Sequence, residues 1–316
     1  MSTAPLASIV IVNWNGLSLL QQHLSHVVEL TQAEDSGHEI IVVDNGSTDG
    51  SVAMVRDRFP GVRILALPEN FGFSKGNNLG AREARNPILV FMNNDVRPMP
   101  GFLAPVLKWF SEPDVFAVAM KSLVPADDMQ EEATMRLALR WGWWGFVPDA
   151  RVLRGGPGPI PILHACAGMA ACDRLKFLEL GGFDEMFSPV YWEDFDLSLR
   201  AWRRGWRVLY EPSSVVHHHR GSTSKRPERK RFTRTMDLKN HHLVVWKHLD
   251  GAGPWMRYFF WTGVRLARAA VKLDAAFFEG LYLALKQAGE AVEHRRSFRK
   301  EATHSTSEVL TLLDER

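Results

Sequence analysis

Short apolar runs alternate with amphipathic segments over the first hundred residues of the chain. Four of the runs are rich in β-branched residues and predict strands, and the segments between them have the spacing of helices. Continuous apolar strands separated by helices predict an α/β fold whose parallel sheet is covered on both faces. The predicted strands are 8–13, 39–44, 62–67 and 87–92, and the predicted helices are 17–30, 49–59 and 74–85.

Segments rich in Asn, Asp and Gly follow each of these strands, at 13–16, 44–50, 68–78 and 93–95. Each segment alone is explained by turn formation or by helix capping. In a parallel sheet, however, all four converge on one edge, which is where such folds bind ligands. Together they predict a binding site. The first strand is not followed by G-x-G-x-x-G, which argues against a dinucleotide and against hydride transfer.

The middle of the chain, 124–163, has no clear periodicity and contains Trp141, Trp143 and Trp144. These tryptophans either stack on a sugar or a membrane interface, or they fill the core of an insertion. Beyond it the pattern predicts a strand at 165–171, a helix at 173–180, a tight turn at 181–184 and a second helix at 191–204. Two strands at 206–210 and 214–217 and a basic polar loop at 224–234 follow.

Seven motifs in this order resemble the inverting glycosyltransferases of family 2, and most closely bacterial rhamnosyltransferases of cell-surface polysaccharide assembly. The resemblance covers about residues 7 to 248. It implies a GT-A-like nucleotide-diphospho-sugar transferase fold, with a mostly parallel central sheet flanked by helices. The motifs are 9–16, 43–50, 70–80, 93–95, 181–185, 193–196 and 217–219.

The resemblance implies a nucleotide-diphosphate sugar as donor. A carboxylate at the end of the second strand, Asp44, can accept the imide N–H of uracil or thymine, and the resemblance gives Asp44 that role. Asn77 and Asn78, with Gly76, are expected to line the nucleoside site. The predicted donor-binding residues are Asn13, Trp14, Asn15, Asp44, Asn45, Gly76, Asn77, Asn78 and Asn94.

The family's metal motif is D-x-D, and here it reads Asn93-Asn94-Asp95. The resemblance makes Asp95 a ligand of Mg²⁺ or Mn²⁺ and supplies His218 from a later strand as the second ligand. Magnesium and manganese prefer oxygen ligands and often keep water, so one protein carboxylate can suffice. The alternative for the His217-His218-His219 triplet is a solvated strand end.

Three carboxylates, Glu193, Asp194 and Asp196, open the second of the later helices, where acidic side chains are also favourable because of the helix dipole. By resemblance Asp194 is the general base, and Glu193 and Asp196 shape the site. The Q-x-x-R-W motif of processive synthases is absent, which favours transfer of a single sugar. We expect rhamnose from dTDP-rhamnose. The alternatives are a UDP-hexose or UDP-galactofuranose donor, and a catalytically inactive glycan-binding scaffold.

The last hundred residues are basic, whereas the rest of the chain holds 19 Lys and Arg against 25 Asp and Glu. The formal net charge is +2, and the part from His217 onward holds 19 Lys and Arg against 11 Asp and Glu. A helix predicted at 253–296, broken at Gly263 and Gly280, gathers most of its charges in an arc of about 80°. Such amphipathic helices suit an anionic membrane surface, a partner subunit in a homodimer, or the protein's own domain. Residues beyond Ser297 are expected to be a polar, frayed tail.

The predicted organisation is a catalytic domain at 1–222, a basic loop and connecting helix at 223–252, and amphipathic helices with a tail at 253–316. Within the catalytic domain, 1–95 is the nucleotide-binding half and 96–222 the acceptor-binding and catalytic half. No signal peptide or membrane span is predicted. We expect a cytoplasmic protein, peripheral on the inner face of the membrane, that uses a lipid-linked glycan acceptor and binds no nucleic acid.

Overall fold

The computed structural model describes residues 4–35, 37–124, 129–130, 135–140, 143–154, 158–219 and 227–314. The strands are β1 Ala7–Asn13, β2 Glu39–Asp44, β3 Arg63–Ala66, β4 Ile88–Met92, β5 Val96–Pro98, β6 Val115–Val124, β7 Met129–Gln130, β8 Met135–Arg140, β9 Trp143–Pro148, β10 Ile160–Pro161, β11 Met169–Asp173 and β12 Arg207–His218. The helices are α1 Leu17–Glu34, α2 Ser51–Arg58, α3 Gly72–Glu83, α4 Ala104–Leu107, α5 Ala150–Arg154, α6 Arg174–Glu179, α7 Glu193–Arg203, α8 Pro227–His248, α9 Ala252–Lys272, α10 Ala275–Lys286, α11 Ala288–Arg299 and α12 Thr306–Asp314.

The central sheet has the order β10-β12-β6-β11-β4-β1-β2-β3. Strands β4, β1, β2 and β3 are parallel, and β12 is parallel to β6. The sheet is mixed, because β11 runs antiparallel to both of its neighbours. The predicted α/β fold with a GT-A-like central sheet flanked by helices is confirmed. Strand β11 lies between the parallel strands β4, β1, β2 and β3 on one side and the parallel pair of β6 and β12 on the other.

Alternate residues of the central strands enter two separate cores. Val10 and Ile41 belong to the core that contains α7 and α8, whereas Ile9 and Val42 belong to the core beneath α1 and α4. Strands buried on both faces read as unbroken apolar runs. This explains why the sequence locates β1, β2 and β4 well.

The second half of the chain departs from the predicted boundaries. The two strands predicted at 206–210 and 214–217 are one strand, β12, with a register shift between Glu211 and Val215. The predicted loop at 224–234 is helical from Pro227, where α8 begins, and 220–226 lie outside the described residues. Trp144 is buried against Phe195, so the core-filling alternative holds for it, and Trp141 lies outside the described residues.

The C-terminal helices break at other places than predicted. Gly263 and Gly280 lie inside helices, and the breaks fall at Leu273, which has a φ of 52°, and at Gln287. Gly280 is needed for close packing, since a Cβ there would lie 2.9 Å from the Thr235 carbonyl oxygen on α8. Within the described residues, none of these helices is long and apolar enough to cross a membrane.

The predicted frayed tail is also wrong. Helix α11 continues to Arg299, and α12 packs on α7 with Val309 and Leu313 buried. The connection is fixed by Arg203, whose Nε donates to the His304 carbonyl oxygen at 3.0 Å. Buried apolar contacts therefore order a segment whose composition alone is polar.

Candidate active site

The ends of β1 and β2 lie side by side, because the parallel register pairs Asn13 with Asp44. Asn13 Nδ2 donates to Asp44 Oδ1 at 3.1 Å, and Asn94 Nδ2 donates to Asn13 Oδ1 at 2.9 Å. The second oxygen of Asp44 accepts the Ser47 backbone N–H at 2.8 Å. The structure thus joins predicted residues of three segments in one network. Each oxygen of Asp44 retains lone-pair capacity for a further donor.

Asn15 and Trp14 form the outer part of this edge. Asn15 has a φ of 48°, in the left-handed region that Asn tolerates. Its backbone N–H donates to Ser47 Oγ, and its Oδ1 accepts the Thr48 N–H, both at 2.8 Å. The Trp14 side chain is 52% exposed, which leaves an aromatic face open to a ligand. Asn15 therefore fixes the loop after β2, and Trp14 borders the open side.

The start of α3 is held against the same edge by Asn45. Its Nδ2 donates to the Gly72 carbonyl oxygen at 3.0 Å, and its buried Oδ1 has no partner among the described residues. A Cβ at Gly76 would lie 3.1 Å from Asn45 Nδ2 and equally near Val12. A larger residue at 76 would therefore require the side chains of Asn45 and Val12 to shift by a few tenths of an ångström.

Asn77 and Asn78 lie on α3, and their predicted part in lining the nucleoside site remains a prediction. Both are buried, and Asn77 Nδ2 donates to the Phe73 carbonyl oxygen one turn back at 3.0 Å. Asn78 exchanges two hydrogen bonds of 2.8 Å with the backbone of Phe183. Asn78 thereby anchors the Gly181-Gly182-Phe183 turn to α3, and its amide is fully engaged there.

The predicted metal ligands lie together. His218 Nε2 is 3.3 Å from Asp95 Oδ1, because β12 pairs with β5 directly after Asp95. Two adjacent ligands of an octahedral ion at about 2.1 Å each would be about 3 Å apart, so the pair fits a divalent cation. Among the described residues no third His, Cys, Asp or Glu joins them. A cation here would take its remaining ligands from the donor diphosphate and water.

The neighbours of Asp95 and His218, which are Asn93 and His219, make contacts elsewhere. A Cβ on Gly168 would lie 2.3 Å from Asn93 Nδ2, so the Asn93 side chain lies against the backbone of the β11 approach. The His219 ring packs in a tilted arrangement with its centroid 4.9 Å from that of His23, and burial lowers the pKa of both. Neither contact involves the Asp95 carboxylate.

The first turn of α7 presents its three carboxylates in three different environments. Glu193 is buried, and burial together with the nearby Asp194 charge raises its pKa to about 8. Asp194 is half-buried, and its Oδ1 accepts the Phe195 N–H at 2.7 Å. The turn before it is unusual, since Tyr191 and Trp192 have φ of 71° and 75°. Among the three carboxylates, Asp194 is the one that solvent reaches.

Asp196 lies in a buried cluster of charges, and its predicted role in shaping the site remains a prediction. The carboxylate is fully buried and pairs with Arg200 Nε, Lys247 Nζ and His248 Nε2, each at 2.7 Å. Burial opposes ionisation, but Arg200 and Lys247 hold the pKa of Asp196 well below its ordinary value. Asp196 therefore joins α7 to α8.

Helix α8 supports the loop before α7, a role that sequence reasoning missed. Asn240 Nδ2 donates to the carbonyl oxygens of Phe187, Val190 and Tyr191 at 2.6, 2.7 and 3.0 Å. Lys239 Nζ donates to the Ser188 carbonyl oxygen at 2.8 Å, and burial lowers its pKa to about 8. The available signal was a run of polar residues, 239–242, in the middle of a predicted helix.

The loop before α7 and the turn that precedes it lie near the start of α3. A Cβ on Gly72 would lie 3.8 Å from Pro189 Cα, and the rings of Phe73 and Phe183 are 6.1 Å apart. The start of α3 is thus a neighbour both of the strand ends, through Asn45, and of the loop before α7.

A cavity of about 490 Å³ lies elsewhere, between the Gly181–Glu185 turn, α7, α8 and α11. Of the predicted site residues, Asn78 alone lines it. Asp184 in its wall is paired, since Asp184 Oδ2 lies 2.6 Å from Lys247 Nζ and 2.7 Å from His294 Nδ1. The predicted catalytic and donor-binding residues, other than Asn78, lie outside this cavity.

The family model for glycosyl transferase family 2 matches residues 8–177, which is more than half of the chain. The chain belongs to this family.

Curated relatives agree with this assignment. The chain is 28% identical over 262 residues to the N-acetylglucosaminyl-diphospho-decaprenol L-rhamnosyltransferase of Mycobacterium tuberculosis, covering 75% of this chain and 83% of that one. It spans only 29% of the length of an uncharacterized relative from Sinorhizobium fredii and 38% of a polypeptide N-acetylgalactosaminyltransferase of Xenopus tropicalis.

Two solved structures share the fold. GalNAc-T7 with UDP, GalNAc and Mn²⁺ aligns with a TM-score of 0.64 at 21% identity, covering 79% of this chain and 49% of that one. The mannosyltransferase PcManGT of Pyrobaculum calidifontis, in complex with GDP-Man and Mn²⁺, has a TM-score of 0.57 at 20% identity. It covers 100% of this chain and 89% of that one.

Proposed function

We propose that the protein is an inverting glycosyltransferase that transfers a single rhamnose from dTDP-rhamnose. The acceptor is a lipid-linked or polysaccharide glycan of cell-surface biosynthesis. The observation that carries the proposal is the first turn of α7, where Asp194 is accessible and its two acidic neighbours are buried. The similarity to a mycobacterial rhamnosyltransferase supports the choice of sugar.

Residues 1–95 bind the nucleotide in this proposal, and 96–222 bind the acceptor. Asp44 accepts the imide N–H of the base, while Asn13 and Asn94 keep its carboxylate oriented through the network described above. Trp14 offers its exposed face for stacking on the base. Asn15, Asn45 and Gly76 act by fixing the loops around the nucleoside.

Asp194 is the general base. Its carboxylate takes the proton of the acceptor hydroxyl while that oxygen attacks the anomeric carbon. The bond from the anomeric carbon to the diphosphate oxygen breaks as the new glycosidic bond forms, and the nucleoside diphosphate leaves from the opposite face. Anomeric configuration is therefore inverted. A protonated Glu193 beside Asp194 adds no second negative charge to the site at neutral pH.

Asp95 and His218 would hold Mg²⁺ or Mn²⁺, which supplies Lewis-acid neutralisation of the leaving diphosphate. The chain's own contribution is to hold these two ligands in register through the β5–β12 pairing. The Mn²⁺ in both similar structures supports this choice of ion.

Two alternatives follow from specific observations. A UDP-hexose or UDP-galactofuranose donor is compatible with Asp44, because uracil carries the same imide N–H as thymine; UDP in the GalNAc-T7 structure favours testing it. An inactive glycan-binding scaffold is the second alternative, and Asn93 in place of the family's first Asp favours testing that.

A lipid-linked acceptor would place the enzyme on the inner face of the cytoplasmic membrane as a peripheral protein. We propose that the C-terminal helices make that contact, with a homodimer as the competing use of the same helices.

Donor binding tests the proposal most simply. Thermal shifts would be measured with dTDP-rhamnose, UDP-glucose, UDP-galactose, UDP-N-acetylglucosamine, GDP-mannose and the free diphosphates, each with and without Mn²⁺. A donor at about 100 times its Kd should stabilise the fold by roughly 2.7 kcal/mol. A Mn²⁺-dependent shift with dTDP-rhamnose supports the proposal, and a shift confined to a UDP-sugar supports the first alternative. No shift with any nucleotide contradicts both.

A further inference from the structure

Helix α9 turns an apolar face away from the protein. Its buried residues, Tyr258 and Ala269, lie within about 20° of each other on a helical projection. On the opposite side the side chains of Met256, Phe259 and Phe260 are 69%, 63% and 65% exposed. Large exposed apolar patches on a soluble protein mark an interaction site. The sequence alone left open whether this face packs inward, and the structure shows that it does not.

Cations border that face and acids are absent from it. Helix α9 contains four Arg or Lys residues and no Asp or Glu. Arg257, Arg268 and Lys272 are exposed and lie along one edge of the apolar face, within an arc of about 60°. The fourth, Arg265, lies over the Trp143 ring at 4.5 Å. Three exposed cations on α9 can therefore interact with an anionic partner.

The apolar surface continues past the end of α9 into α10. Leu273, at the junction, is 86% exposed, and so is Val271 in the last turn of α9. On α10, Tyr282 and Leu285 are 59% and 58% exposed, while the other face of that helix is buried against α8. The acids nearby are already paired, Asp274 with Arg234 and Glu279 with Arg231.

We infer that this surface binds an anionic phospholipid bilayer. We call it the α9 surface and define it by Met256, Phe259, Phe260, Val271 and Leu273 with the bordering cations. Exposed aromatic and aliphatic side chains beside a row of Arg and Lys match an amphipathic helix lying in the membrane interface. Basic residues close to a membrane are attracted to its anionic lipids.

A second copy of the chain fits this surface less well. In a two-fold symmetric contact the same patch meets itself. The cations of one α9 would then approach those of the other, and α9 offers no acid to compensate them. A lipid surface supplies the missing negative charge and accepts the aromatic side chains.

Vesicle co-sedimentation with the full chain tests the inference. Vesicles of phosphatidylcholine alone would be compared with vesicles that contain about one quarter phosphatidylglycerol. We expect binding to the anionic vesicles that weakens with salt. We also expect it to fall about tenfold or more in Phe259→Ser with Phe260→Ser, and in Arg268→Gln with Lys272→Gln. Matched controls are Leu175→Ser, which removes a side chain 71% exposed on α6, and Arg56→Gln with Arg82→Gln.

Three results would overturn the inference. The first is that the parent protein does not bind anionic vesicles, and the second is that the control variants lose as much vesicle binding as the α9 variants. The third is that the α9 variants change the molecular mass measured by sedimentation equilibrium without changing vesicle binding. The last result would make the surface a dimer contact. Melting temperature and the donor thermal shift are measured on every variant. The inference rests on the membrane contact proposed above for the C-terminal helices and assigns it to α9. Because vesicle binding is measured without donor or acceptor, its failure is distinguishable from failure of the proposed sugar transfer.

Discussion

The strand-end site and the α7–α8 junction use polar side chains in opposite ways. At the ends of β1 and β2, Asn13 and Asp44 make hydrogen bonds that leave acceptor capacity beside an open edge. At the junction, Asp196 is fully buried and has all its charge balanced by Arg200 and α8. Asp194 and Asp196 are two residues apart in α7, yet Asp194 is half-buried whereas Asp196 is fully buried in the ion cluster. Burial therefore separates the proposed general base from a residue that joins two helices.

The largest effect is expected from Asp194→Asn. Loss of the general base should lower kcat by about 10²- to 10⁴-fold, while the melting temperature and the donor thermal shift stay close to those of the parent. Steady-state transfer kinetics and melting curves measure both. An Asp194→Asn protein with near-normal turnover would show that the base lies elsewhere.

Asp196→Asn should mainly lower stability, whereas Asp194→Asn should mainly lower kcat. Removing one partner of a buried ion cluster destabilises a protein by about 3–5 kcal/mol, since Lys247 and Arg200 remain buried. Denaturant unfolding measures the loss, and Asp57→Asn on the exposed face of α2 is the matched control. If Asp196→Asn instead keeps its stability and loses turnover, Asp196 acts in the reaction.

Asn240→Leu tests whether α8 positions the loop before α7. The substitution leaves the carbonyl oxygens of Phe187, Val190 and Tyr191 without their shared donor. We expect kcat to fall by about 10- to 100-fold through misplacement of Asp194, with little change in donor KM. A change confined to stability would mean that α8 supports the fold without orienting the base.

Asp95→Asn tests the metal site at the strand ends. We expect the apparent Mn²⁺ affinity to fall by at least about tenfold, measured by titrating Mn²⁺ against the donor thermal shift. His218→Gln should act in the same direction, and His217→Gln is the matched control from the same strand. Equal Mn²⁺ titrations in all three variants would place the cation elsewhere.

The smallest expected effect is on the pH dependence of stability. Since burial and Asp194 raise the pKa of Glu193 from 4.5 to about 8, the folded state holds a proton in that window that the unfolded chain releases. The free energy of unfolding therefore falls as pH rises from about 4.5 to about 8. Glu193→Gln should gain several degrees of melting temperature relative to the parent across this range. The exposed Glu29→Gln should not, and identical pH profiles would contradict the raised pKa.

The sequence predicts the strand-end region better than the junction for a physical reason. In a parallel sheet the segments after β1, β2 and β4 must meet at one edge, so Asn13, Asp44 and Asn94 can be placed together from periodicity alone. The partners of a helical residue depend on which helix packs beside it. Periodicity therefore could not show that Asn240 supports a loop about fifty residues earlier, or that Asn78 faces Phe183.

The same limit applies to the C-terminal helices. Helical propensity placed breaks at Gly263 and Gly280, but α10 packs so closely on α8 that Gly280 is required inside a helix. The helical projection separated the cations from the apolar residues of α9 correctly. Only tertiary structure shows that Tyr258 faces inward and Phe259 outward.

The anomeric configuration of the product tests the central claim most directly. The donor identified by thermal shift would be incubated with the protein, Mn²⁺ and a soluble lipid-linked acceptor analogue, and the new glycosidic bond examined by NMR. An accessible Asp194 acting as base on the acceptor hydroxyl predicts a product with inverted configuration, and none from Asp194→Asn. A product that retains the donor's configuration would contradict the single in-line displacement assigned to this site.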